Sequence, residues 1–98
     1  MSNPSVKMEL VDLKVNTLFE IDLSDVRFED TDRVVFEIFF VANENAHPVS
    51  VFRKVDKWSR IHSATNTFTP RLPGKYTVKI GKTSGTINYR SRPLIVTA

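Results

Sequence analysis

Apolar residues recur along this chain with a period of two, and that spacing limits the fold more than any other feature. Val6, Met8 and Leu10 alternate with Lys7 and Glu9, and Phe19, Ile21 and Leu23 alternate with Glu20, Asp22 and Ser24. Val34, Phe36, Ile38 and Phe40 fall on one face of an extended segment, with Val35, Glu37, Phe39 and Val41 on the other. Val49 and Val51 open a further run. Tyr76, Val78 and Ile80 alternate with Lys75, Thr77 and Lys79, and Leu94 and Val96 alternate with Ile95 and Thr97. A strand sends successive side chains to opposite faces, so this pattern gives each strand one core face. β-branched and aromatic residues fill the runs, as suits a pleated, half-buried surface. No segment sustains the helical period of about 3.6, which argues against a long helix.

Turn chemistry falls between the runs. Asp25 and the stretch Glu29 to Asp32 form a polar link around Phe28, and Asn43 to Pro48 is polar and ends in proline. Pro70-Arg71-Leu72-Pro73-Gly74 is the strongest breaker, and Gly81 to Gly85 suits a hairpin loop. The pattern predicts strands near 5–13, 17–24, 33–42, 48–55, 58–69, 74–80 and 92–97, with an optional short strand at 85–89. The segment 58–69 reads as two strands or one bent strand. Short strands with turns at this spacing imply a two-sheet sandwich, with residues 1–98 forming a single domain.

Composition agrees with a packed domain: 41% of residues are hydrophobic and 26% charged. With no cysteine, disulfides and thiolate metal sites are excluded. The opening Met1-Ser2-Asn3-Pro4-Ser5 lacks the basic start and apolar run of a secretory signal, and no stretch approaches the roughly 20 apolar residues of a membrane span. A cytoplasmic protein that does not enter membranes is the expectation.

The segment Phe68-Thr69-Pro70-Arg71-Leu72-Pro73-Gly74-Lys75-Tyr76-Thr77-Val78-Lys79-Ile80 resembles the end of a filamin-type immunoglobulin-like repeat. Such repeats show an aromatic-x-Pro, then Pro-Gly-x-Tyr-x-Val, a Gly-x-Ile hairpin, and a Ser-Pro before the last strand. Gly85-Thr86-Ile87 and Ser91-Arg92-Pro93-Leu94-Ile95-Val96 follow that order, and Phe19-Glu20-Ile21-Asp22-Leu23 is similar to the second strand. The family's aspartate/glycine-rich turn is replaced here by Asp56-Lys57-Trp58, and Arg92 stands between the serine and the proline. Val51-Phe52-Arg53-Lys54-Val55 and the tail also resemble the SKICH domains of some adaptor proteins. Both resemblances imply an all-β, immunoglobulin-like antiparallel β-sandwich of about seven to eight strands. In that fold Tyr76 is placed for a tyrosine corner, its hydroxyl returning to nearby backbone. Without a disulfide the core relies on packing, with Phe19, Phe36, Trp58 and Phe68 as its leading aromatics.

Catalytic signatures are missing. His47 sits in a polar link and His62 on a predicted strand, too few ligands for a zinc site without cysteine. Asp25, Glu29, Asp30 and Asp32 lack the EF-hand spacing and its central glycine. Gly81-Lys82-Thr83-Ser84-Gly85 lacks the upstream glycine of a phosphate-binding loop, and no Gly-x-Ser-x-Gly elbow occurs. The expectation is a non-enzymatic protein with no cofactor and no metal.

Charge points instead to binding. Residues 1–50 carry four basic and ten acidic side chains, whereas residues 51–98 carry ten basic ones and a single acid, Asp56. The modest net charge of +3 thus conceals two halves of opposite sign. Arg53, Lys54, Lys57 and Arg60 flank Trp58; Lys75, Lys79 and Lys82 lie along the Tyr76 strand with Arg71 beside it; Arg90 and Arg92 flank Ser91. Phe39 and Val41 supply apolar surface on the second face of their strand. These residues mark a protein-interaction or scaffolding module that binds through a sheet edge or a basic face, with 48–55 as the candidate edge. The opposite charges also admit a homo-oligomer. Nucleic acid held by the basic half with stacking on Trp58, Tyr76 and Tyr89 is the second choice. A small carbohydrate-binding sandwich is a third; Trp58 or Tyr89 exposed in a loop would favour it, and a core Trp58 would remove it.

Overall fold

The computed structural model describes residues 13–64, 66–85, 87–91 and 93–98. Their elements run in the order β1 (Leu13–Lys14), β2 (Phe19–Glu20), β3 (Arg33–Val41), β4 (Val49–Lys57), α1 (Trp58–Ser63), β5 (Thr67–Phe68), β6 (Gly74–Lys82), β7 (Ile87–Arg90) and β8 (Leu94–Thr97). The chain is mostly β, as its alternation predicts.

Two sheets result. The larger has the order β1-β8-β6-β3-β4, with β7 also paired to β6. The smaller pairs β2 with β5. β7 and β8 share one edge of β6 in succession, at Lys79–Gly81 and at Gly74–Tyr76. Between them Ser91 mends the break: its N–H donates to Val78 O and its Oγ accepts from Val78 N–H, each at 2.8 Å. Among the described residues, one pairing is parallel: it joins β1 to β8, Leu13 opposite Val96. A parallel pair needs a long crossover, which the intervening chain supplies.

The core fills the space between the inner face of the larger sheet and the β2–β5 ribbon. Val34, Phe36, Ile38 and Phe40 of β3 and Tyr76, Val78 and Ile80 of β6 are buried, with Leu94 and Val96 of β8 and Ile21 and Leu23 from the β2 side. Tyr76 forms the expected corner: its hydroxyl donates to Leu72 O at 2.6 Å, and its ring lies 5.7 Å from Phe68. Gly74 starts β6 at φ 152°, where an added Cβ would stand 2.6 Å from the Phe40 ring and 2.9 Å from Val41 O. Only glycine admits that close approach without displacing its neighbours.

Two predicted strands need revision. The region 58–69 is not extended throughout: it folds as α1, followed by the two-residue β5. Trp58 and Ile61, three residues apart, both turn inward there. The first N–H groups of α1 find acceptors in the preceding link, Trp58 N donating to Asp32 O at 2.7 Å and Ser59 N to Asp30 O at 3.2 Å. At its other end the Asn66 side-chain amide donates to Ile61 O and Ala64 O. Together these satisfy groups that a short helix leaves orphaned. The predicted 17–24 strand is regular only at Phe19–Glu20, although Ile21 N still bonds Asn66 O at 2.8 Å. The predicted 5–13 strand lies outside the described residues except for Leu13. Among the described residues, no helix is long and apolar enough to cross a membrane.

Candidate functional site

Pairing registers decide which basic residues meet. On the outer face of the larger sheet, away from the core, β3 presents Arg33, Val35, Glu37, Phe39 and Val41. Glu37 lies opposite Arg53 of β4 on one side and Lys79 of β6 on the other, and Lys79 lies opposite Arg90 of β7. Arg53, Glu37, Lys79 and Arg90 therefore form one row across four strands, about 14 Å long at the usual strand spacing. Arg33 opposes Lys57 at one end of this face, and Val41 opposes Lys75 at the other. Among the described residues, six basic side chains thus share this face with one carboxylate.

An apolar stripe runs between these charges. Val35 faces Val55 across the strand pair, Phe39 lies beside Thr77, and Val35, Phe39, Val41 and Val55 are all half-buried. Lys79 places its ammonium 4.7 Å from the centre of the Phe39 ring, a cation–π contact of about 0.5–1 kcal/mol when exposed. Ile95, opposite Lys75 on β8, is 60% exposed.

The candidate edge is also in place. β4 pairs with β3 along one side, and among the described residues no strand occupies the other. Its register shifts between Ile38 and Phe39, which bulges β4 around Val51. Val49, Val51 and Phe52 are exposed. Phe52 points to the core side, where it meets Phe36 edge to face at 5.7 Å.

Several predicted site residues fall elsewhere. Arg53 and Lys54 are neighbours in sequence, but the pleat sends them to opposite faces, Lys54 lying opposite the buried Phe36. Lys82 pairs with Val34 on the core-facing side at the end of β6, where its ammonium sits 3.5 Å from Asp32. Arg60 is exposed on α1, off the sheet face. Arg92 lies outside the described residues. Phe39, Val41, Lys57, Lys75, Lys79 and Arg90 take the positions described above. Trp58, which Arg53, Lys54, Lys57 and Arg60 flank in sequence, is itself buried at 5% exposure and packs edge to face on Phe28.

Burial of Trp58 in the core withdraws the first ring and, with it, the carbohydrate reading. The other, Tyr89, is half-buried and occupied: its hydroxyl accepts from Arg27 N–H and donates to Arg27 O. Missed in the sequence were Arg33, Glu37 and Val55. Their signal was alternation on 33–41 and 49–57, but only the register shows what each faces. Searched against protein-family models, curated proteins and solved structures, the chain gives no match.

Proposed function

We propose that the chain is an immunoglobulin-like sandwich that serves as a non-enzymatic protein-interaction module, taking an acidic partner protein on its basic outer face and β4 edge. Three observations support the architecture: the order β1-β8-β6-β3-β4 opposite a β2–β5 ribbon, the parallel β1–β8 pair, and the Tyr76 corner. A filamin-type or SKICH-like ancestry is compatible with them.

One observation carries the function. Registers bring Arg53, Lys79 and Arg90 into a single row beside a half-buried apolar stripe. Such a face combines desolvatable surface with charge that selects partners of the opposite sign. A displayed library of random peptides, panned against the wild type and an Arg53→Glu/Lys79→Glu/Arg90→Glu variant, tests the reading. Acidic peptides with interspersed apolar residues should be enriched on the wild type and lost on the variant. Recovery of no acidic peptides overturns the reading. So does tighter binding of an oligothymidine with a steep salt dependence, which would move the surface to nucleic acid.

A further inference from the structure

We infer that the occupant of the β4 edge is an extended, acidic segment of the partner, added antiparallel to β4 and read residue by residue. The inference rests on the proposed function and gives it a side-chain code. A strand added to an edge gains main-chain hydrogen bonds, and alternate side chains meet alternate faces of the host sheet.

Facing the added strand, β4 presents Lys57, Val55 and Arg53 on the outer face and Asp56, Lys54 and Phe52 on the core side. Among the described residues, none of Arg53, Lys54 and Lys57 has a carboxylate within ion-pairing distance. Opposite charges across a strand pair stabilise and like charges destabilise. An antiparallel segment, read from its N-terminus, then calls for an acid at Lys57, a neutral or basic residue at Asp56, an apolar one at Val55, acids at Lys54 and Arg53, and an apolar one at Phe52. Two adjacent acids are required because the pleat separates Arg53 from Lys54. Phe52 extends the rim of the core through Phe36, so the last position is the apolar anchor.

A second copy of this chain answers the charges of this edge less well than an acidic strand does. A two-fold axis normal to the sheet keeps each face continuous, so it must pass midway between one residue and its own copy. Centred on Arg53 or Lys54, it sets that cation directly against itself. Centred on Val55, it sets Arg53 against Lys57 twice, offset by Lys54 against Asp56 twice, and centred on Phe52 it leaves Arg53 and Lys54 opposite Val51 and Ser50 with no acid to meet them. Charged side chains are what natural edges use against self-pairing, and here an acidic strand is the complement that meets each cation.

The test uses a synthetic peptide with the core Glu-Thr-Val-Glu-Asp-Ile and the wild-type chain. Binding should protect from exchange those β4 amides that point away from β3. Arg53→Glu should weaken binding about tenfold, the combined loss of an attraction and gain of a repulsion. Replacing the peptide's Asp with Lys should restore binding to that variant and not to Lys54→Glu. Lys54→Glu should be rescued instead by Lys in place of the second Glu. Equal binding of the reversed sequence, rescue that ignores position, or binding without protection of β4 overturns the inference. If library peptides that lack the code are acidic and bind the outer face, the proposed function stands while this code falls. If no acidic peptide binds at all, both fall together.

Discussion

Tyr76 shows how one side chain ties a turn to a sheet. Its ring packs between Phe40 and Phe68, and its hydroxyl reaches Leu72 O, four residues back. Tyr76→Phe keeps the packing and removes the donor, so it should cost about 1 kcal/mol by denaturant midpoint. A second signature is specific to the phenol. Burial raises its pKa above the ordinary 10.0. Near pH 10 the unfolded chain loses this proton while the folded chain keeps it, so the folded state binds more protons and stability falls as pH rises. Its contribution is complete below pH 10 and lost above it. Tyr76→Phe should flatten that alkaline slope, and an unchanged slope would place the titration elsewhere. This corner was legible in advance because Pro73, Gly74 and Tyr76 are local in sequence. The register that sets Gly74 against Phe40 was not.

Elements were legible where period and context agreed. The long strands β3 and β6 follow from their alternation, β4 from the run that Val49 and Val51 open, and its edge position among the described residues from Pro48 and the Arg53-Lys54 pair. The helix α1 escaped because six residues make under two turns, too few for a periodic signal and too few to form alone. Its clue was Trp58 and Ile61, which fall on opposite faces of a strand and on one face of a helix. Tertiary contacts, Trp58 N to Asp32 O and Ser59 N to Asp30 O, decide between the two. Buried Trp58 should show blue-shifted emission that iodide does not quench, and Trp58→Ala should cost about 3–5 kcal/mol. Red-shifted, quenchable emission would return the ring to solvent. The break between β7 and β8 depends in the same way on Ser91. Its Oγ serves the Val78 N–H at the centre of β6, so Ser91→Ala should cost about 1–3 kcal/mol by leaving a buried donor unpaired. Ser91→Thr, which keeps the hydroxyl, should retain more of that stability. Exchange of the Val78 amide, faster in Ser91→Ala alone, would localise the effect.

At the scale of the molecule, the sequence's split charge becomes a basic sheet face and an acidic segment that runs through β1 and β2. The outer face of the larger sheet carries Arg33, Arg53, Lys57, Lys75, Lys79 and Arg90 against Glu37. The segment 13–32 carries six acids against two bases, with Glu20 and Asp22 exposed around β2. The split was visible in the sequence, but its placement was not, since β1 and β8 come from opposite ends of the chain and share a sheet. If these unlike regions meet between copies of a body with extents of 39 × 28 × 26 Å, the contact is head to tail, a heterologous arrangement that closes into rings or runs on. Screening sets its range. At about 0.01 M salt the Debye length is roughly 30 Å, as large as the molecule, and at 1 M about 3 Å. Sedimentation should therefore show reversible self-association at low salt that vanishes at high salt. The Arg53→Glu/Lys79→Glu/Arg90→Glu variant should remain monomeric throughout, because its sheet face no longer opposes the acidic segment. Association that strengthens with salt would point to the apolar stripe, not the charges. A wild-type monomer at every salt concentration would show that the two faces serve other molecules alone.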